Sequence, residues 1–183
     1  MKNLDSFIEI LTDDFDNRQQ MEALEKDGVT NFPFSKHKNT ACNDKINNLP
    51  ADFYGVFMVE ESSYAMSGKE NRLANLFLFT QEGEDIKLTS YELPEVSEKA
   101  SFTYENMPIV DYADLKPSAK FTPAVYSLKD GVWEGGSVSM FSPVLKFTLY
   151  ERFSPDFLEV SESMEVNGRR TFGFDMPIVY KKI

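Results

Sequence analysis

The chain has 183 residues and carries 19 basic against 30 acidic side chains, a net charge of −11. This balance argues against a nucleic-acid partner or an anionic membrane surface, because either would need a basic face. One cysteine and one histidine exclude an internal disulfide, a multi-cysteine zinc site and a histidine-rich metal centre. Without an apolar leader after Met1 or a long apolar run, we expect a soluble cytoplasmic protein in which 1–183 forms one domain.

Apolar residues at helical spacing predict one amphipathic helix at the N-terminus, over about residues 3–25. Leu4, Phe7, Leu11 and Phe15 recur three or four residues apart, and the stripe continues to position 24. This is the only segment in which the helical period is sustained.

Extended runs joined by turn residues follow from about residue 32. Glu82-Gly83-Glu84, Lys129-Asp130-Gly131 and Asn167-Gly168 mark tight turns, the last with the composition of a type I′ hairpin. The segment 107–119, with two prolines, is the longest predicted loop. The predicted strands lie at 33–42, 52–62, 72–82, 85–93, 99–106, 120–128, 131–140, 144–152, 156–166 and 169–182.

The run Leu76-Phe77-Leu78-Phe79 places apolar side chains on both faces of one strand. That pattern suits a barrel with an apolar interior and a second, covered outer surface. We therefore predict a mainly β protein, a lipocalin-like antiparallel up-and-down barrel over about 32–182 with the N-terminal helix packed against it. The aromatic content of 14% suits a large, flat apolar guest, or else simply fills the core.

Three motifs in the first half of the chain point to a family. They are Leu11-x-x-Asp14-Phe15-x-Asn17-x-x-Gln20, then Asn31-x-Pro33-Phe34-x-x-His37, then Gly55-x-x-x-Val59-Glu60 with Arg72 twelve residues further on. In their order and spacing they resemble the T-type phycobiliprotein lyases, the CpcT/CpeT family. The later strands are similar to the family in pattern alone.

The resemblance implies both a fold and an activity. Family members are ten-stranded antiparallel barrels, often dimeric, that bind a phycobilin such as phycocyanobilin or phycoerythrobilin. They deliver this linear tetrapyrrole to a cysteine of an apo-phycobiliprotein β-subunit, where it becomes attached through a thioether. The lyase holds the bilin in one conformation and needs no permanently bound cofactor, so the catalytic effect comes from orientation and protection. A homodimer is a further expectation.

The chain also departs from the family pattern. Asn71 and Ala74 stand where the family has tyrosine and arginine, Glu61 stands where it has glutamine, and the late cysteine has no equivalent. A bilin carrier without transfer activity is therefore an alternative, as is a barrel that binds a fatty acid or another apolar ligand. A fully packed barrel that binds no small molecule is a third. The content of the pocket separates them, because a bilin site needs an open cavity with at least one cation and one acid.

Acidic residues and one arginine are the first candidates for the site. Arg72 offers a planar fork that matches a bilin propionate, although a surface pairing with Glu60 or Glu61 is the competing interpretation. Because Glu60 and Glu61 are consecutive in a strand, only one of them can point inward. An inward carboxyl would accept pyrrole N–H groups or act as a general acid.

Further candidates lie along the predicted strands. Glu162 is the one acid on an otherwise apolar strand face, and Trp133 either stacks on a pyrrole or plugs a barrel end. His37 is expected at the surface or in a structural role, and Cys42 is assigned none. The remaining ligand-binding candidates are Tyr64, Asn71, Lys146 and Arg152, the last two being solvated by default.

Overall fold

The computed structural model describes residues 3–95 and 101–183. Its two helices are α1 (Asn3–Leu11) and α2 (Arg18–Lys26). The strands are β1 (Asp14–Asp16), β2 (Phe34–Ala41), β3 (Ile46–Asn47), β4 (Gly55–Met66), β5 (Lys69–Glu82), β6 (Asp85–Tyr91), β7 (Val110–Asp111), β8 (Ala124–Lys129), β9 (Val132–Met140), β10 (Leu145–Ser154), β11 (Phe157–Val166), β12 (Arg169–Gly173) and β13 (Ile178–Lys182).

Ten antiparallel strands close into a barrel. The order around the ring follows the chain: β1, β2, β4, β5, β6, β8, β9, β10, β11 and β13, which pairs back with β1. Strand β12 extends the barrel wall beside β11, and β3 and β7 form a short parallel pair outside the ring. The predicted lipocalin-like, up-and-down barrel is confirmed.

The prediction of one helix over 3–25 was wrong, because the chain forms strand β1 between two shorter helices. Asp13 and Asp14 follow the end of α1, where the helix dipole disfavours negative charge. Phe15, the next residue of the apolar stripe, instead pairs with both β2 and β13 and closes the barrel. Asn17 fixes this junction, since its side chain donates to the Pro33 carbonyl at 2.9 Å and accepts from the Ser35 amide at 2.8 Å.

Two strand predictions also need correction. Residues 101–106 of the predicted strand 99–106 form turns, while 99 and 100 lie outside the described residues. The predicted strand 169–182 is divided into β12 and β13, because Gly173 adopts a φ of 111° that other residues rarely reach. The predicted loop 107–119 contains β7 and a 3₁₀ turn at Tyr112–Asp114.

Helix α1 closes one end of the barrel with its apolar stripe. Phe7 is 0% exposed and has its ring 4.9–5.4 Å from four aromatic rings of the interior. Burial of such a side chain contributes about 1.5–3 kcal/mol, so the helix is held firmly in place. The four rings belong to Phe79, Tyr126, Trp133 and Phe153.

A second core lies outside the barrel, on the outer face of β4 and β5. Phe57, Val59 and Leu76 are fully buried there beneath the segments 42–54 and 102–115. The apolar outer surface predicted from Leu76-Phe77-Leu78-Phe79 is therefore covered, as expected. Among residues 3–95 and 101–183, no helix has the length and apolarity needed to cross a membrane.

Candidate functional site

The barrel encloses a cavity of about 770 Å³ at the end opposite α1. It exists because the inner face changes from bulky aromatic residues near the helix to smaller ones further along, such as Asn75, Ser90, Ala124 and Ser137. Ligand pockets in proteins typically measure about 300–1,000 Å³, so this one has room for a sizeable organic molecule. Exposed residues also line it, among them Leu73, so the cavity opens to solvent.

Aromatic rings line the mouth of the cavity. Phe121 and Phe141 pack edge to face with centroids 5.0 Å apart, and Phe141 stacks on Phe147 at 5.7 Å. Phe172 borders the mouth and makes an edge contact with Tyr64. These rings offer flat apolar surfaces against which a planar ligand can stack.

Three carboxyl groups line the inner part of the cavity, hereafter the inner end. Alternation along β4, β10 and β11 directs Glu60, Glu151 and Glu162 to the interior, because successive strand residues face opposite sides. All three come from the middle of long strands, so neighbouring backbone holds them in place on both sides. The inner end is thus acidic and rigidly framed.

Each carboxyl has a defined partner. The Asn75 side chain donates to Oε1 of Glu60 at 3.1 Å, and the Tyr64 hydroxyl donates to Oε2 of Glu162 at 3.2 Å. The Tyr126 hydroxyl donates to Oε2 of Glu151.

His37, on the inner face of β2, completes the inner end. Its Nδ1 lies 3.6 Å from Oε2 of Glu60, and its side chain is 4% exposed. No donor or acceptor in the described residues contacts its Nε2, which is buried.

Burial shifts the protonation of these groups toward their neutral forms. It raises the pKa of Glu60 to about 7 and, together with the negative charge of Glu60, the pKa of Glu151 to about 8. The pKa of Glu162 is raised by the same two causes. Burial lowers the pKa of His37 to about 4, so this imidazole is uncharged at neutral pH. The inner end therefore gains negative charge as the pH rises through neutrality.

The structure brings five of the sequence-predicted residues to the cavity: Glu60, Tyr64, Asn71, Arg72 and Glu162. Arg72 borders the mouth from the outer side of β5, since it shares strand parity with outward-facing Leu76. Its side chain is 72% exposed and pairs with Glu70 at 3.1 Å.

The other predicted residues lie outside the cavity lining. The Glu61 carboxylate faces outward and accepts from the Tyr104 amide at 3.2 Å. Trp133 is buried against Phe7 at the closed end, so it plugs the barrel. Lys146 pairs with Glu165 at 2.9 Å, and Arg152 pairs with Glu159 at 3.0 Å, both on the outside of the wall.

Sequence reasoning missed two residues of the inner end. Glu151 follows the parity of Phe147, Leu149 and Phe153, so one acid on an apolar face was a usable signal. His37 was expected at the surface or in a structural role, but it is buried, because β2 directs it inward beside Glu60. Its polar neighbours in the sequence concealed this position.

Cys42 was assigned no role, and its surroundings are those of an inert thiol. It is fully buried in the outer core, and burial raises its pKa to about 12. The reactive thiolate form is therefore suppressed at neutral pH.

Within residues 3–95 and 101–183, no three histidine, cysteine, aspartate or glutamate side chains converge closely enough to hold a metal ion. No protein-family model, curated protein or solved structure matches the chain.

Proposed function

We propose that this protein binds a linear tetrapyrrole, phycocyanobilin or phycoerythrobilin, inside its barrel. In the fuller form of the proposal it is a T-type lyase that delivers the bilin to a cysteine of a phycobiliprotein β-subunit. The observation that carries the proposal is the open cavity of about 770 Å³, in which aromatic walls lead to buried carboxyls.

The chemistry of a bilin suits both ends of this cavity. Its pyrrole N–H groups are donors for Glu60 and Glu162, and hydrogen bonds to a charged acceptor are roughly twice as strong as neutral ones. Its conjugated rings can stack on Phe141 and Phe147. Its propionates would remain at the mouth, where Arg72 borders the cavity and Lys120 lies over the Phe141 ring at 4.5 Å.

The alternative ligands fit this cavity less well. A fatty acid would bury its alkyl tail among the three carboxyls of the inner end, because the cations lie at the mouth. A fully packed barrel is not compatible with the volume of the cavity.

Transfer of the bilin would depend on orientation. Among the described residues no cysteine lines the cavity, and Cys42 is buried in the outer core. The thiol of the thioether would therefore come from the acceptor protein, while the barrel holds the chromophore in one conformation. Ala74, where the family has arginine, packs in the outer core, so this departure leaves the inner end unaltered.

Titration of the purified protein with phycocyanobilin or phycoerythrobilin, followed by absorption, tests binding. We expect a red-shifted and sharper band, because an enclosed cavity fixes an extended chromophore. Glu60→Gln should weaken binding about ten- to a hundredfold through loss of a charge-assisted acceptor. Glu61→Gln is the matched control, since it removes the same charge from the adjacent, outward-facing residue. Spectra identical to those of free bilin at micromolar protein would refute the proposal.

Incubation of the bilin-loaded protein with an apo-phycobiliprotein β-subunit tests transfer. Bilin that stays with the β-subunit on a denaturing gel demonstrates thioether attachment. Binding without covalent attachment would support a bilin carrier and refute the lyase activity.

A further inference from the structure

The inner end of the cavity combines several acids with an absence of compensating cations. Among the described residues that line the cavity, no lysine occurs, and the single arginine is Arg72 at the mouth. Buried carboxyls are usually paired with a cation or a metal, because an unpaired buried charge is costly. Glu60, Glu151 and Glu162 have only neutral partners in the protein.

Two of these carboxyls each keep one oxygen free of protein partners. Glu151 and Glu162 both accept their hydrogen bond on Oε2. Within the described part of the chain, Oε1 of either residue accepts no hydrogen bond, and neither atom is among the fully buried ones. Both oxygens are therefore acceptors that an occupant of the cavity can reach.

His37 supplies a second, independent sign of a missing partner. Its Nδ1 faces the Glu60 carboxyl, which favours the proton on that nitrogen and leaves Nε2 as an acceptor. This buried Nε2 has no partner in the described residues. An unpartnered buried polar atom costs free energy, so an occupant that donates hydrogen bonds would complete the inner end.

A metal ion is a poor candidate for that occupant. The acids approach from three different strands and, as described, do not converge on one point with ligating geometry. An organic group, with its charge spread over several N–H bonds, can instead contact oxygens that lie apart on the wall.

We propose that the inner end is a cation-selective subsite: it takes the positively charged, N–H-donating part of an elongated ligand, with Glu151 and Glu162 each offering one carboxylate oxygen. The inference rests on the proposed function only in that the cavity binds a ligand, and it holds for ligands other than bilins. For a bilin, it requires the pyrrole core to enter first and the propionates to stay outside.

Protonation controls this selectivity, because the carboxyls attract a cation only when they are ionised. With pKa values of about 7 and 8 for Glu60 and Glu151, much of the attraction develops between pH 6 and pH 9. A bound cation stabilises the ionised forms, so it also releases protons as it enters. The titratable groups that face this space are His37, Glu60, Tyr64, Tyr126, Glu151, Glu162 and Tyr180.

Two fluorescent aromatic probes of opposite charge test the subsite without a tetrapyrrole. At pH 9 the cation ethidium, a planar dye whose amino groups donate hydrogen bonds, should bind at least about tenfold more tightly than the anion 1-anilinonaphthalene-8-sulfonate. Its affinity should fall about tenfold or more between pH 9 and pH 5, while that of the anion should not fall. The wild-type series decides the question even if a variant does not fold.

Paired variants separate the inner end from the overall negative charge. Glu151→Gln with Glu162→Gln should lower ethidium affinity at pH 9 by about ten- to a hundredfold. Glu61→Gln with Glu159→Gln changes the net charge equally on the outside of the wall and should have little effect in 0.15 M salt.

Equal affinities for the two probes, no binding of ethidium, a pH-independent ethidium affinity, or equal losses in the two double variants would each overturn the inference. Bilin binding without a cation preference would refute this inference and leave the proposed function. A cation preference without bilin binding would refute the proposed function and leave this inference intact.

Discussion

The two faces of the β4–β5 strand pair are built for opposite purposes. On the outer face, Phe57, Val59 and Leu76 are completely buried in a dense apolar core. On the inner face of the same strands, Glu60 and Asn75 border an open cavity. Neighbouring residues of one strand therefore lie in opposite surroundings: one is packed in the apolar outer core, and the next faces an acidic space that is connected to solvent. Stability and ligand access are therefore separated across a single layer of backbone.

This separation explains how the barrel tolerates its acidic interior. A carboxyl that is largely desolvated and lacks a cation costs free energy when it ionises, and the inner end holds three such groups with raised pKa values. Apolar burial contributes about 25 cal/mol per Å², and the outer core and the α1 plug supply it away from the cavity. The site does not have to be well packed in order for the protein to fold.

The largest expected effect comes from breaking the outer core. Phe57→Ala should lower the free energy of unfolding by about 3–5 kcal/mol, since it leaves a void among fully buried side chains. Phe77→Ala, on the inner face one residue from Leu76, should cost less because Phe77 already borders empty space. Urea unfolding of the two variants measures this difference. Equal losses would mean that the two faces do not divide stability and access as proposed.

Removing an acid from the inner end should stabilise the protein at high pH. The pKa of Glu151 is about 8 in the fold against an ordinary value of 4.5, so the unfolded chain loses this proton first as the pH rises. Its contribution to stability is therefore full below pH 4.5 and declines up to about pH 8. Glu151→Gln should be about 1–3 kcal/mol more stable than wild type at pH 9 and similar at pH 4.

Unfolding free energies measured from pH 4 to pH 9 check that expectation. Glu159→Gln, on the outer side of the wall, is the control and should keep the wild-type slope. A Glu151→Gln profile parallel to that of the wild type would contradict the cost assigned to the buried carboxyl.

The smallest expected effect lies at the mouth. Arg72→Ala should weaken bilin binding only about two- to fivefold, because an exposed ion pair contributes up to about 1 kcal/mol. Absorption titration measures the change, and Arg152→Ala, outside the cavity lining, should cause none. A loss of bilin affinity as large as that caused by Glu60→Gln would mean that the ligand is held mainly at the mouth and not at the inner end.

Much of this architecture was predictable because strands and tight turns have recognisable local sequence patterns. Because side-chain direction alternates along a strand, the apolar run Leu76-Phe77-Leu78-Phe79 predicted both an apolar interior and a covered outer surface. Asn167-Gly168 predicted the hairpin that joins β11 to β12. The same alternation identified Glu162, and it showed that only one of Glu60 and Glu61 faces the cavity. Side-chain direction follows from parity as soon as a strand is recognised.

What escaped prediction depends on contacts between distant segments. Strand β1 is three residues long and is defined by its pairing with β2 and β13. A segment this short has no recognisable alternation of apolar and polar residues. His37 lies among polar residues in the sequence, and its burial follows from packing against Tyr180 of β13, with ring centroids 4.7 Å apart and only β1 between the two strands. The chemistry of Arg72 predicted a propionate contact inside the barrel, but the strand places its side chain on the outer side of the mouth.

The plug formed by α1 has a kinetic consequence. With that end filled by Phe7 and its four aromatic neighbours, a bound molecule leaves through the same mouth by which it entered. A competitor cannot push the occupant out from behind, and the next molecule must wait until the mouth is vacant. In a chase experiment the release rate should therefore be independent of the concentration of the chasing ligand. An acceptor protein would likewise have to approach the bound molecule at the mouth, because the closed end gives it no access.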